Sequence, residues 1–353
     1  MAQAHTRPAS ILPESAREVA VDSTPTIATS SSQPQGGTFQ TFEGVQMVLE
    51  EPLRPKAVLL LFHGCKHSST DWWPKSDGCP ACKGLPEETR ITGAALAEGF
   101  AVVALSSQDR THNRCWDTGW PLENTADVPK VTWALQALTK QRGWSELPMY
   151  ALGASSGGAL VLLLALKVPL QAICCQIMAI PGSLLQTSPG DESGRTWGYP
   201  RTAFTYMARD QHTARGVIEM QAVLTQQGVN VIDMEVQPRP LTPSFFFNRT
   251  QDISSSVSAA IFSTFEKSGL LDSSGFLLED PRQTSAHWQE LLKQHVPATK
   301  QMNLKVDESV IHEELNLAWA GHELISDNIS SIFKFFQSRT TRGRLEELAH
   351  IVR

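Results

Sequence analysis

The stretch Gly153-Ala154-Ser155-Ser156-Gly157-Gly158 follows the apolar run Met149-Tyr150-Ala151-Leu152 and leads straight into Ala159-Leu160-Val161-Leu162-Leu163-Leu164. A G-x-S-x-G between an apolar strand and an apolar helix restricts the fold more than any other feature of the chain. The serine has to sit on a turn too sharp for regular structure, and small residues are needed where the two backbones nearly touch. An almost wholly apolar strand before the turn suits a parallel sheet covered on both faces, and a helix beginning at the serine aims its first amides at an anion. Ser155 is therefore the candidate nucleophile. The frame Ala154-Ser155-Ser156-Gly157-Gly158 offers Ser156 instead, but only the Ser155 frame puts glycine at both tight positions; a Gly-rich turn without chemistry is the bland alternative.

The chain on either side fits such a sheet. Residues 39–49 read as a strand pair, and Ala57-Val58-Leu59-Leu60-Leu61-Phe62 is an unbroken apolar run ending in His63-Gly64-Cys65. Helices are expected over 89–98, 128–141 and 213–227, and buried strands over 100–105, 172–180, 202–208 and 229–236. Strands alternating with helices predict a doubly wound, mostly parallel α/β sheet whose site lies outside the carboxyl ends of the strands. His63-Gly64, Ser155 and Asp210 all fall at such ends. From 237 to 320 the alternation stops, and a helical insertion is expected over about 239–318, serving either as a lid or as a helical layer against the sheet edge.

Length and composition set the outer bounds. A chain of 353 residues with 41% hydrophobic content can bury one large core, so one domain is expected over 38–340, with a helical tail over 341–353. Residues 1–37, rich in Ser, Thr, Ala, Pro and Gln, are expected to be disordered. Arg7, Arg17 and the many hydroxyl residues of that segment suit an organelle transit peptide, whereas Glu14, Glu18 and Asp22 argue for a plain tail. With no apolar signal core, an intracellular location, cytoplasmic or organellar, is expected. The apolar region 159–180 is interrupted by Lys167, Pro169, Gln171 and Gln176, which excludes a membrane span there. A net charge of -6 without a run of Lys or Arg leaves no footprint for nucleic acid. The expected partner is a small ester-type molecule, and neither a cofactor nor a metal is called for.

A serine hydroxyl is a poor nucleophile until a base takes its proton, and the base needs an acid to fix its tautomer. Of the ten histidines, His322 is the best placed, in Ala320-Gly321-His322-Glu323 just before a C-terminal amphipathic helix; His287, His295 and His312 compete. For the acid, Asp210 ends a strand and precedes a helix, where an aspartate also serves as a plain N-cap. Asp191, Asp233 and Asp307 are the alternatives. An oxyanion would need two preorganised donors, for which the backbone N–H groups of Ser156 and Cys65 are candidates. His63, Trp72 and Trp116 are candidate substrate-binding residues, the tryptophans lining an apolar acyl or aryl pocket or forming a small core of the loops.

Ser155, Asp210 and His322, in that order and with His63-Gly64 upstream, resemble the serine hydrolases of the α/β-hydrolase superfamily over about residues 39–337. The combination of His63-Gly64-Cys65, Trp73-Pro74-Lys75-Ser76, Cys79-Pro80-Ala81-Cys82 and Arg114-Cys115-Trp116 is similar to a little-characterised hydrolase-like group from plants and algae. The resemblance implies an α/β-hydrolase fold and cleavage of an ester, thioester or amide through an acyl-enzyme. A non-catalytic ligand-binding protein or receptor, and an acyltransferase, are the other readings. The insertion here follows the last strand instead of preceding the acid's strand, which departs from the commoner pattern. Cys65, Cys79, Cys82 and Cys115 admit three states: reduced thiols, disulfides, or a zinc site built on Cys79 and Cys82. Cys174 and Cys175 lie in an apolar run and are expected in the core.

Overall fold

Strands alternate with helical segments after an initial strand pair, and in the computed structural model eight of them assemble as a sheet in the order β1-β2-β4-β3-β5-β6-β7-β8. The structure describes residues 36–185 and 197–338. The tail expected over 1–37 lies outside these up to residue 35, and the helical tail expected over 341–353 lies outside them altogether. The strands are β1 (Thr38–Phe42), β2 (Val45–Glu50), β3 (Ala57–Phe62), β4 (Phe100–Leu105), β5 (Met149–Ala154), β6 (Ala172–Gln176), β7 (Arg201–Met207) and β8 (Val231–Val236). β2 runs antiparallel to both β1 and β4, and every other pair is parallel. This order, with helices on both faces, is that of the α/β-hydrolase fold.

The helices are α1 (Pro86–Ala97), α2 (Val128–Arg142), α3 (Ser156–Leu164), α4 (Gln211–Gln226), α5 (Phe245–Arg249), α6 (Ser255–Lys267), α7 (Ser285–His295), α8 (Val310–Trp319) and α9 (Ile329–Gln337). Alternation along β3 divides the core: Val58, Leu60 and Phe62 meet α2, α3 and α4 on one face, while Ala57, Leu59 and Leu61 meet α1 and α9 on the other. Fully buried side chains such as Phe333 of α9 each stabilise the fold by roughly 1.5–3 kcal/mol. Between β8 and α9, helices α5 to α8 enclose a cluster of their own built on Phe246, Phe265, Trp288, Leu292, Ile311 and Leu315. Among the described residues no helix is long and apolar enough to cross a membrane.

Two element boundaries differ from the sequence expectation for physical reasons that bear on the site. α1 begins at Pro86, not at 89, because proline at the first helical position needs no hydrogen-bond acceptor; Glu87 and Glu88 thereby enter the helix and are buried. β6 stops at Gln176, not at 180, because Ile177 adopts φ 49° and turns the chain away from the sheet. Strand register then sets the site: Phe62 of β3 pairs with Gly153 of β5, so the His63-Gly64-Cys65 loop emerges beside the Ser155 turn.

Candidate active site

Ser155 occupies the turn between β5 and α3 with φ 52° and ψ -120°, a conformation that non-glycine residues rarely adopt. Its flanking glycines are required by close approach. A Cβ on Gly153 would overlap the Gly157 carbonyl, and a Cβ on Gly157 would overlap the carbonyl oxygens of Phe62 and His63. Those are backbone atoms at the end of β3 and in the first turn of α3, not flexible side-chain ends that could move aside. Gly157→Ala is expected to lower stability by about 3 kcal/mol, read from the urea midpoint; a variant as stable as the wild type would contradict this account of the turn. Ser156 is the first residue of α3 and is buried, its Oγ accepting from the Trp116 N–H at 3.4 Å, and the His322 imidazole stands against Ser155 instead.

His322 stands in the loop between α8 and α9. The Ser155 Oγ lies 2.9 Å from His322 Nε2, and His322 Nδ1 lies 2.6 Å from Asp210 Oδ2. These contacts join residues 112 and 167 positions apart in sequence. Asp210 caps α4, accepting from the Thr213 N–H at 3.2 Å and the Thr213 hydroxyl at 2.7 Å. Partial burial pushes its carboxyl up, but the hydrogen bonds from His322 and Thr213 outweigh this and bring it down to about 2. It serves as an N-cap and as a partner of the imidazole at once. The His322 loop is fixed by Asn316, whose side-chain amide donates to the His322 carbonyl at 3.1 Å, and by the Arg209 N–H, which donates to the Ala320 carbonyl at 3.2 Å.

Of the competing residues, His287 and His295 lie on α7, and His312 on α8 is buried with Nδ1 accepting from the Asp307 N–H. Asp233 accepts from the Tyr206 hydroxyl, and Asp307 pairs with Arg282. Asp191 lies outside the described residues.

Gly64 stands against Ser155, since a Cβ there would be 3.5 Å from the serine Cβ. Among the described residues the N–H groups of Cys65 and Ser156 donate to no protein acceptor. Both are free to meet an oxygen bound at the serine. His63 lines the cavity but uses both ring nitrogens within the protein: Nδ1–H donates to the Gly64 carbonyl at 2.6 Å, and Nε2 accepts from the Ser107 N–H at 3.2 Å. Burial pushes its pKa down to about 3, so the imidazole is neutral and shapes the loop.

The expected tryptophan wall divides. Trp72 lines the cavity and is fully buried. Trp116 is not among the residues that line the cavity. It packs edge-on against Phe62 with ring centroids 5.3 Å apart, and its indole N–H donates to the His63 carbonyl at 2.9 Å. The apolar strand end needed covering, and Trp116 covers it. The cysteines are settled as two disulfides, Cys65–Cys115 and Cys79–Cys82, while Cys174 and Cys175 are buried free thiols. The first clamps the His63-Gly64-Cys65 loop to the loop after β4. Cys79 and Cys82 are thus bonded to each other and do not act as metal ligands.

The cavity over Ser155 encloses about 220 Å³. Its apolar contributions come from Trp72, Ile177 and Leu324, and its charged ones include Lys66, His67, Glu88 and Arg282. His67 is held charged: burial pushes it down, but the hydrogen bond to buried Asp71 at 3.1 Å prevails and lifts it to about 9. These residues, and the Glu87 carboxylate below them, were not singled out in the sequence. Pro86-Glu87-Glu88 carried a usable signal, because proline followed by acids marks a helix start.

No protein-family model and no curated protein matches the chain. Similar solved structures include a carboxyl esterase from Bacillus coagulans in complex with glycerol (12% identity, 58% of this chain and 91% of that one, TM-score 0.39). Others are a dienelactone hydrolase from Anabaena variabilis (16%, 59% and 87%, 0.39) and a carboxylesterase from Mesorhizobium loti (18%, 57% and 90%, 0.38). The side-chain geometry, and not likenesses of this size, bears on the chemistry.

Proposed function

We propose that the protein is a serine hydrolase that cleaves a small ester through an acyl-enzyme on Ser155. The observation that supports this reading is the unbroken relay from the Ser155 hydroxyl through His322 to Asp210, at 2.9 Å and 2.6 Å, beside two unpaired backbone N–H groups. Asp210 holds Nδ1 protonated, which leaves Nε2 with its lone pair toward the serine. His322 takes the serine proton as Oγ attacks the ester carbonyl, and the tetrahedral oxyanion accepts from the N–H groups of Cys65 and Ser156. The imidazolium then protonates the departing alcohol. Water, deprotonated by the same nitrogen, releases the acid. Esters come before amides because an alkoxide needs less protonation to leave. A binding protein or receptor would have no use for the strained serine conformation and the relay together.

In the proposed sequence Ser155 alone is acylated, so labelling gives a direct test. A fluorophosphonate probe is expected to modify Ser155 in the wild-type protein and to leave Ser155→Ala untouched, read by peptide mass spectrometry. A folded wild-type protein that takes up no probe would remove this reading. Because two disulfides persist best in oxidising surroundings, we propose an oxidising compartment over the reducing cytosol.

A further inference from the structure

The Cys65–Cys115 disulfide joins a cysteine that the fold fixes to one that it does not. Around Cys115 the chain is pinned on both sides. The Asp109 carboxylate accepts from the N–H groups of His112 at 2.9 Å, Asn113 at 3.0 Å and Arg114 at 2.8 Å, and the Ser107 hydroxyl donates to the Arg114 carbonyl at 3.2 Å. On the other side Trp116 is buried, and its indole N–H donates to the His63 carbonyl at 2.9 Å. Cys65 has no such anchors: among the described residues neither its N–H nor its carbonyl is hydrogen-bonded within the protein. The next residue, Lys66, holds φ 73°, a left-handed conformation that a non-glycine residue keeps only while its surroundings enforce it. Lys66 is also bonded to Asn113, N–H to carbonyl at 2.7 Å and Nζ to Oδ1 at 2.6 Å, but both residues are exposed and water competes for these bonds.

The unanchored cysteine is the one whose N–H is proposed to bind the oxyanion. Gly64, just before it, stands against Ser155. Donors of this kind act because they are held in place before the charge develops. A Cys65 N–H free to wander would have to be ordered during the reaction, which raises the barrier without weakening the bound ester. The bond is also open to chemistry. Cys65 lines the cavity, and Cys65 and Cys115 are both partly exposed, whereas Cys79 and Cys82 are buried. A small dithiol therefore reaches the first bond in the folded protein and not the second. One thiolate of the dithiol attacks a sulfur and breaks the S–S bond, and its second thiol closes on the first. The dithiol leaves as a cyclic disulfide, and Cys65 and Cys115 take up its two electrons and two protons.

We infer that Cys115, through its disulfide, is a positioning residue for the Cys65 N–H, so that reduction of this bond by a dithiol switches turnover off and reoxidation switches it on. This rests on Ser155 being the nucleophile of a hydrolase, and the test separates the two. The folded protein is treated with dithiothreitol, desalted and assayed on a chromogenic ester, with active sites counted by fluorophosphonate labelling of Ser155 taken to completion. A parallel sample is alkylated with iodoacetamide and mapped by mass spectrometry. Alkylation is expected at Cys65 and Cys115 and not at Cys79 or Cys82. The kcat per labelled site is expected to fall by about tenfold or more at unchanged KM, within the loss of about 10²–10³-fold that follows removal of a whole donor. Cys115→Ser should show the same loss without reductant and no further response to it, while Cys79→Ala combined with Cys82→Ala should keep the full response. A merely structural role would lower the labelled fraction and leave kcat per site as it was. Unchanged kcat per site once Cys65 and Cys115 are reduced overturns this inference alone, as does a loss carried by KM, a wild-type kcat in Cys115→Ser, or a bond that dithiothreitol does not open in the folded protein. Absence of labelling in the oxidised protein overturns both readings.

Discussion

Ser155→Ala is expected to lower kcat for ester cleavage by about 10⁶-fold, His322→Ala by a similar factor, and the double variant by no more than either alone. In the proposed mechanism the three side chains act as one unit: a histidine with no hydroxyl to deprotonate contributes nothing, and a serine with no base stays protonated. Non-additivity is therefore the signature to measure, with burst and steady-state kinetics on a chromogenic ester. Additive losses would mean that Ser155 and His322 act separately, contrary to the 2.9 Å contact between them. Asp210→Asn is expected to cost about 10⁴-fold while leaving the fold intact, because asparagine can present an N–H to Nδ1 and select the wrong tautomer. Since Asp210 ionises at about 2, it keeps its charge far into acid and does not set the acid limb of the rate profile. The same depression stabilises the folded chain above the unfolded aspartate value of about 3.9, and that contribution is lost as pH falls from there toward about 2.

The parts of this arrangement that could be read from the sequence are those whose cause is local. β3, β4 and β5 are buried on both faces and appear as continuous apolar runs. The Ser155 turn needs glycines two positions away on either side, and such a pattern survives without knowledge of the partners. Asp210 and His322 were legible as strand-end and loop positions, although their meeting at 2.6 Å depends on the whole sheet. What could not be read depends on distant partners. The reach of Trp116 over Phe62, and the choice of Cys115 as partner for Cys65 at a separation of 50 residues, follow from how two loops meet at the sheet end. Glu88 was hidden for another reason: on a helix starting at 89 it would be a solvated loop residue, and only the proline start at 86 turns it inward.

Arg249→Met is expected to destabilise the protein by about 3–5 kcal/mol, the usual cost of leaving a buried charge without its partner. Arg249 ends α5 and reaches three carboxylates: Glu314 through Nε, Glu87 at 2.9 Å through Nη2 and Asp327 at 3.2 Å through Nη1. Glu87 and Glu314 are completely buried, and Arg90 is the other cation paired with them. Burial would push the guanidinium toward neutrality, but the surrounding carboxylates hold it charged. Glu313, buried beside the same acids, is driven well above the usual carboxylate range by burial and by Glu88 and Glu87. Burial and Glu87 likewise raise Glu314 to about 8 against the pull of Arg249 and Arg90, and Asp327 pairs with Arg239 as well. Methionine keeps most of the arginine's length and apolar stem, so the loss reports on charge and not on a cavity. The network also reaches the site, because Glu87 Oε2 accepts from the N–H and hydroxyl of Ser326 at 2.6 Å and 2.8 Å, four residues beyond His322. Denaturant titration of Arg249→Met should show a lower midpoint at unchanged slope, and adding Glu314→Gln should restore part of the loss by removing the stranded charge. A loss below about 1 kcal/mol, the range of exposed ion pairs, would mean that the carboxylates are already neutral and that Arg249 does not hold the insertion to the histidine loop.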